Sequence, residues 1–321
     1  MAQIAQPPLP PFEVRLTAPD ISRWVAGNTG IAGFTTHVAG KPGPHVALLA
    51  LAHGNEIAGA IVLDRLLRDD LMPTHGRLTF GFVNLAAYER FDPRHPTASR
   101  FVDEDINRVW DAAVLEGPRH SVELDRAREI RPLIDTVDVL FDLHSMLWPS
   151  DALILCGTSP KGRDLALGAG QPALVVADHG HASGKRLIDY ARFADPGTPC
   201  AASLVEAGQH WDPATVDTMF GSVSGLLRHL NMAGAHPALP PPQASKQRFA
   251  EVTMAVTAGS GHFAFVQPYR GGDIIPRRNT LIALDGENEI RTPHDDCLLV
   301  MPSLRPSRGH TAVRLARFVT G

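Results

Sequence analysis

Between residues 45 and 235 the chain alternates apolar runs of strand length with segments of helical periodicity. The apolar runs are HVALLALA, RLTFGFVNLAA, DVLFDLHS, ALILCG and ASLVEAG. The segments with apolar residues at helical spacing cover residues 55–69, 121–137 and 212–233. Because strands that are apolar throughout must be covered on both faces, this alternation predicts an α/β fold with a mixed, mostly parallel sheet flanked by helices.

The pattern changes at the proline-rich run GAHPALPPPQASKQ. A run with this proline content cannot continue a helix and predicts a semi-rigid linker, which we place at residues 236–247. The β-type runs beyond it are short and interrupted by Gly, Pro and Asp, which predicts a small all-β domain at residues 248–321. Residues 1–235 would then form the larger domain.

The net charge and the cysteine pattern of the chain exclude several classes of binding partner and metal site. The net charge of −4 and the pI near 6.4 indicate no basic face for nucleic acid or for an anionic membrane. The three cysteines form no CxxC pattern, which is typical of a reducing compartment and excludes a cysteine-rich metal site. Since the amino-terminal residues lack a signal-peptide pattern and no apolar run approaches ~18 residues, we predict a soluble cytoplasmic protein. The oligomeric state stays open, with a homo-oligomer among the alternatives.

The candidate functional residues follow the carboxyl ends of predicted strands, which is where parallel sheets usually have their active sites. His53-x-x-Glu56 offers a nitrogen and an oxygen ligand at a strand-to-helix turn, and His144 ends another predicted strand. Two histidines and a carboxylate that leave a fourth position for water form the open arrangement of catalytic zinc. Asp142 is a plausible acceptor for the remaining ring N–H of a ligand histidine. The short pattern alone also fits a histidine that is only a hydrogen-bonded polar residue at a strand end.

Two further motifs make the pattern more specific. The segment SRFVDEDINRVW carries Arg100, Asn107 and Arg108, and Glu206 ends the apolar strand in LVEAGQH. The chain order is therefore HxxE, then Arg…Asn-Arg, then His, then Glu. In this order the motifs resemble the succinylglutamate desuccinylase/aspartoacylase family, a branch of the zinc carboxypeptidase-like hydrolases. The resemblance covers roughly residues 45 to 321.

The resemblance implies a role for each motif. One zinc ion per chain would be held by His53, Glu56 and His144. Glu206 corresponds to the family's general base, and Arg100 corresponds to the arginine that polarises the scissile carbonyl. Asn107 and Arg108 correspond to the pair that holds a substrate carboxylate. The small carboxy-terminal β domain would narrow access to the site of the catalytic domain at residues 1–235.

These roles favour a zinc-dependent amidohydrolase that removes the acyl group from a small N-acyl amino acid by metal-activated water. Two alternatives stay open, a zinc carboxypeptidase acting on short peptides and a non-catalytic relative that binds a small molecule. Because binding alone requires neither a general base nor a carbonyl-polarising arginine, Glu206 and Arg100 favour an enzyme. No Lys or Arg stands between Phe193 and Val205, which weighs against N-acetylaspartate as the substrate.

Overall fold

The computed structural model describes residues 12–181, 183–234, 236–241 and 245–319. The strands are β1 Phe34–Val38, β2 His45–Ala50, β3 Arg77–Phe82, β4 Val139–Met146, β5 Leu153–Leu155, β6 Leu174–Ala177, β7 Ala201–Gln209, β8 Arg248–Thr257, β9 Phe263–Phe265, β10 Ile274–Ile275, β11 Leu281–Asp285, β12 Asn288–Arg291, β13 Cys297–Val300 and β14 Thr311–Phe318. The helices are α1 Ser22–Val25, α2 Ile57–Arg68, α3 Leu85–Tyr88, α4 Ala112–Leu115, α5 Val122–Ile134, α6 Pro160–Gly168, α7 Ala191–Ala194 and α8 Pro213–His229. Short 3₁₀ turns cover Ile106–Arg108 and Leu187–Asp189. Over these described ranges, none of the helices combines the length and the apolar character that crossing a membrane requires.

An 11-stranded sheet organises the molecule, in the order β1-β3-β2-β4-β7-β5-β6-β8-β14-β13-β10. Its central strands β3, β2, β4 and β7 run parallel, whereas β1 and the strands beyond β8 pair antiparallel. Parallel strands bring their carboxyl ends to one edge, so the residues that follow β2, β4 and β7 meet there. The predicted fold class, a mixed sheet with a mostly parallel centre flanked by helices, is confirmed.

Both faces of the central sheet are buried, as continuous apolar strands require. Within β2, Leu48 and Ala50 join the core cluster that contains α2 and α8, whereas Ala47 and Leu49 join the cluster that contains α5. Alternate side chains of one strand therefore fill two separate core layers. The helices α2, α5 and α8 lie inside the three predicted helical segments and are each shorter than predicted.

The region after the proline-rich run contributes to two sheets. Strand β8 pairs parallel with β6, from Leu174 opposite Arg248 to Ala177 opposite Glu251, and β14 lies between β8 and β13. A separate small antiparallel sheet in the order β12-β11-β9 accompanies it. Backbone hydrogen bonds thus cross the predicted boundary between residues 1–235 and 248–321, and the division into two domains stays a prediction. Residues 242–244 of the predicted linker lie outside the described residues.

Candidate metal centre and active site

Three buried side chains converge beyond the ends of β2 and β4. His53 follows β2, Glu56 immediately precedes α2, and His144 lies near the end of β4. The Glu56 carboxylate lies between the two imidazoles, with Oε1 2.6 Å from Nδ1 of His53 and Oε2 3.1 Å from Nδ1 of His144. The ligand atoms of the three residues all lie within 4.8 Å of one another. Among the described residues, no other group of three such side chains converges in this way.

The outer nitrogens of both histidines face carboxylates. Nε2 of His144 donates to Oδ2 of Asp142 at 2.8 Å, and Nε2 of His53 lies 2.9 Å from Oδ1 of Asp105. Metal-binding histidines in proteins are oriented by such contacts, which fix the ring and leave the other nitrogen for the metal. Here both Nδ1 atoms are directed at Glu56. Two imidazole nitrogens and one carboxylate oxygen thus form a donor set that fits a divalent metal ion.

Charges within the cluster are strongly coupled. Burial alone would raise the pKa of Glu56, but the neighbouring His53 and His144 lower that pKa well below its ordinary value. Burial alone would lower the pKa of His144, but Asp142 and Glu56 raise it well above the ordinary value. A metal ion entering the cluster would therefore displace a proton from an imidazole, because histidine binds metal in its neutral form.

Glu206 stands beside this cluster. It lies on β7 and pairs in register with His144 on β4. The side chain is buried, and its Oε2 atom has no hydrogen-bond partner among the described residues. Burial and then the like charge of Glu56 raise the pKa of Glu206 to about 8. The structure thus places next to the donor set a buried carboxyl with a strongly shifted pKa, which is a frequent property of catalytic acids and bases.

Arg100 borders the same cluster. Its Nη2 atom lies 2.9 Å from Nε2 of His53 and 3.1 Å from Oδ2 of Asp105, and Nη1 lies 3.5 Å from Oε1 of Glu56. The side chain is 37% exposed, whereas the side chain of Glu56 is 3% exposed. Arg100 is therefore more accessible than the donor set that its guanidinium contacts.

Asn107 and Arg108 lie on a 3₁₀ turn that begins after Asp105, whose Oδ1 accepts a hydrogen bond from the backbone N–H of Asn107. The Asn107 amide is buried: its Oδ1 accepts from the N–H of Leu187 at 2.7 Å, and its Nδ2 lies 3.3 Å from Nε2 of His144. The Arg108 side chain is 20% exposed, and its Nη2 lies 3.6 Å from Oδ2 of Asp105. Arg108 is thus the more accessible member of the pair.

Arg108 also lies in an electropositive environment. Burial lowers its pKa to about 10, and the charges of Arg100, Arg186 and Arg314 act in the same direction, against that of Asp105. An anion placed against Arg108 would relieve this repulsion between cations. The electrostatics therefore agree with the prediction that this arginine meets a carboxylate.

Glu123 was not predicted from the sequence as part of the site. It is fully buried on the first turn of α5, and its carboxylate accepts from the backbone N–H groups of Val102, Asp103 and Glu104 at 2.6, 3.0 and 3.2 Å. It also accepts from Nδ2 of Asn84 at 3.1 Å. These contacts hold the segment that leads into the 3₁₀ turn. An acidic residue in the first turn of a helix is common, so nothing local in the sequence indicates this contact.

A second unpredicted contribution comes from β14. Arg314 is buried, its Nε donates to Oδ2 of Asp178 at 3.0 Å, and its Nη2 lies 2.9 Å from Nε2 of His181. Arg186 binds the same aspartate through two hydrogen bonds of 3.0 and 2.7 Å. The charge of Arg314 acts on the pKa of Glu206. The last strand therefore adds a cation to the surroundings of the site. The sequence signal for this contribution is the position of Arg314 within the largely apolar run TAVRLARF.

Residues 42–198 match the family model described as the succinylglutamate desuccinylase/aspartoacylase catalytic domain. This part of the chain is similar to the catalytic domain of the succinylglutamate desuccinylase/aspartoacylase family. The resemblance inferred from the motif order is confirmed, and the matched range contains the donor set together with Arg100 and Arg108. Glu206 lies beyond the matched range. Members of this family are hydrolases of acyl amino acids.

Individual relatives agree with this assignment. Mouse aspartoacylase is 30% identical over 122 residues, which cover 35% of this chain and 37% of that protein. The chain thus spans little more than a third of the length of this curated relative. The succinylglutamate desuccinylase of Vibrio cholerae has a TM-score of 0.68 at 16% identity and covers 89% of this chain and 86% of its own. The succinylglutamate desuccinylase of Vibrio parahaemolyticus has a TM-score of 0.66 at 15% identity, and the match covers 90% of this chain and 87% of that chain. Both structures share the fold.

Proposed function

We propose that this chain is a zinc-dependent amidohydrolase that removes the acyl group from a small N-acyl amino acid. The observation that carries the proposal is the buried donor set of His53, Glu56 and His144 beside the buried carboxyl of Glu206. A purely structural ion-pair cluster does not require a further buried carboxyl whose Oε2 atom lacks a hydrogen-bond partner among the described residues, because burying such an atom is unfavourable. Similarity to a family of acyl-amino-acid hydrolases supports the same reaction class.

The donor set would hold zinc through Nδ1 of each histidine and the carboxylate of Glu56. Bound there, zinc supplies Lewis-acid chemistry that makes water nucleophilic near neutral pH and polarises a carbonyl. Glu206 takes a proton from the attacking water as the new C–O bond forms. It then delivers that proton to the amine nitrogen as the C–N bond of the amide breaks, which leaves a carboxylic acid and a free amino acid.

The two arginines complete the assignment. Arg100 has a partly exposed side chain beside the donor set, where its guanidinium would donate hydrogen bonds to the carbonyl oxygen as negative charge develops on that atom. Arg108 binds the free carboxylate of the substrate through its planar fork, with Asn107 beside it. Nδ2 of Asn107 also lies 3.3 Å from Nε2 of His144, so this amide packs against a ligand histidine.

The test is turnover by purified protein on a panel of N-acetyl and N-succinyl amino acids with acidic, neutral and basic side chains. Zinc-loaded protein should release the free amino acid from at least one class of substrate, chelation should abolish the activity, and added zinc should restore it. The matched control is Glu206→Gln in the same assay. A preference for dipeptides with a free amine would identify a carboxypeptidase instead, and failure to cleave any substrate would identify a non-catalytic relative.

A further inference from the structure

Two buried residues directly after β7 contact both segments that carry the metal ligands. The backbone N–H of His210 donates to the carbonyl oxygen of Met146 at 2.9 Å, and its Nδ1 lies 2.7 Å from Oγ of Ser145. Nε1–H of Trp211 donates to the carbonyl oxygen of Asn55 at 3.1 Å. Ser145 follows the ligand His144, and Asn55 precedes the ligand Glu56. The His210–Trp211 pair therefore connects the end of β4 with the turn before α2.

The contact continues to the ligand carboxylate itself. The backbone N–H of Ser145 donates to Oε2 of Glu56 at 3.0 Å, and the same oxygen lies 3.1 Å from Nδ1 of His144. The side chain of His210 fixes Ser145, and the N–H of Ser145 fixes the rotation of the Glu56 carboxylate. The hydrogen bond from Trp211 to the carbonyl oxygen of Asn55 holds the Asn55–Glu56 peptide group in place. Both ends of the glutamate are thus restrained by contacts that originate in one dipeptide.

Packing alone does not account for an imidazole at this position. His210 is 1% exposed, and an apolar ring of similar size would fill the space without the cost of removing polar atoms from water. A buried histidine is favourable where its hydrogen bond sets a geometry, and metal sites depend on such outer contacts to hold their ligands.

We infer that His210 and Trp211 are positioning residues for the metal centre, which hold Glu56 in the orientation that completes the donor set. This role presupposes the metal centre of the proposed function. It predicts that loss of the His210–Ser145 contact weakens metal binding before it affects the fold. Removal of comparable outer contacts weakens metal binding about 10–100-fold.

The experiment measures the dissociation constant for zinc by competition with a chromophoric chelator. We expect His210→Phe and Ser145→Ala each to weaken zinc binding about 10–100-fold. Because both changes remove the same contact, the double variant should lose little more than either single variant. His210→Asn can present a hydrogen-bonding nitrogen near the position of Nδ1, so it should retain much of the affinity. Trp211→Phe, which removes the indole N–H, should weaken binding in the same direction.

The matched control is Ser222→Ala, because Ser222 is also buried and its Oγ donates to the carbonyl oxygen of Thr218 within α8. This variant should bind zinc as the wild type does, and thermal unfolding of the metal-free proteins reports any loss of fold. If His210→Phe does not fold, Ser145→Ala and Trp211→Phe still decide the result. Wild-type affinity in these variants would overturn the positioning role while leaving the metal centre intact. A wild-type chain that binds no zinc would overturn both.

Discussion

His144 on β4 and Glu206 on β7 occupy paired positions on neighbouring parallel strands. Residues paired in this way project to the same side of a sheet, so a metal ligand and a carboxyl group become neighbours although they are far apart in the chain. His53 and Glu56 reach the same place from the end of β2, which is the neighbour of β4 on its other side. The ends of β2 and β4 therefore supply the metal ligands and β7 supplies the carboxyl, so replacing a ligand and replacing Glu206 should have different effects.

Metal binding should depend on both histidines. His53→Ala and His144→Ala each leave two ligands, which hold zinc weakly, so the purified variants should lose the single zinc expected per chain. Metal content by mass spectrometry is the measurement. His95→Ala serves as the control because the His95 side chain is 74% exposed and lies outside the donor set. Full zinc occupancy in both ligand variants would place the metal elsewhere.

Glu206→Gln should separate metal binding from chemistry. The amide keeps the shape of the side chain but cannot accept the proton of water, so zinc content should stay unchanged while kcat falls by ~10²–10⁴. Steady-state kinetics on the best substrate of the panel, together with metal analysis of the same sample, measure both quantities. Turnover near the wild-type rate would exclude Glu206 as the base.

Recognition of the substrate carboxylate should depend on Arg108. A charge-assisted hydrogen bond contributes roughly 1.5–3 kcal/mol, so masking the carboxylate as a methyl ester should lower kcat/KM by about 10–100-fold. Arg108→Lys should lose much of this discrimination, because an ammonium cannot reproduce the planar fork of the guanidinium. The measurement compares acid and ester on both proteins. Equal kcat/KM values for acid and ester on the wild type would remove Arg108 from the binding site.

Glu123 should matter for both stability and catalysis. Glu123→Gln replaces an acceptor oxygen by an NH₂ group that faces backbone donors, and an unsatisfied buried donor costs about 1–3 kcal/mol. We expect the free energy of unfolding to fall by this amount and kcat/KM to fall with it, while zinc content stays unchanged. Glu129→Gln is the control on the same helix, since the Glu129 side chain is 48% exposed. Equal stability of the two variants in denaturant unfolding would contradict the assigned role.

His45 should make the stability of the metal-free protein sensitive to acid. Burial, and then the charge of Arg77, lower the pKa of His45 to about 4, compared with 6.5 for the ordinary side chain. Between these two values the unfolded chain binds a proton that the folded chain does not, so stability falls as the pH drops from 6.5 to 4.

His45→Gln removes this titration. We therefore expect the wild type to lose free energy of unfolding relative to the variant across that window, and denaturant unfolding at several pH values measures the difference. The ring of His45 lies 2.7 Å from Oγ1 of Thr79 and 3.0 Å from Oγ1 of Thr136, so the variant will differ in absolute stability. The decisive quantity is therefore how the difference in free energy of unfolding between the wild type and the variant changes with pH. Parallel curves would exclude His45 as the titrating group.

The central part of the fold was predictable because its signals are local. Strands β2, β4 and β7 are continuous apolar runs, and the helices between them show regular apolar spacing. Strand β1 was missed because it is a partly exposed edge strand with the mixed sequence FTTHV. Strand β6 was also missed, although its sequence LVVA is apolar throughout. The parallel pairing of β6 with β8 joins segments on either side of a proline-rich run, and no local pattern reports a partner at that distance.

The same distinction applies to the site. The positions of His53, Glu56 and His144 follow from short motifs at strand ends. The contacts of Glu123 with residues 102–104, and of Arg314 with Asp178, depend on how distant segments pack, so the sequence does not identify these partners, although an arginine within an apolar run marks position 314 as unusual. His210 was not identified because it stands in a polar stretch after β7, and only its contact with Ser145 distinguishes it.

The pairing of β6 with β8 has a consequence for how the protein is made. While the ribosome has released only the first half of the large sheet, β6 presents an edge of unpaired backbone groups, because its neighbour β8 begins at Arg248. Such an edge can pair with a strand of another nascent chain and so promote aggregation. Folding of the sheet is complete only after β14 has emerged and inserted between β8 and β13. Translation products that stop before residue 248 are therefore expected to need a chaperone to remain in solution.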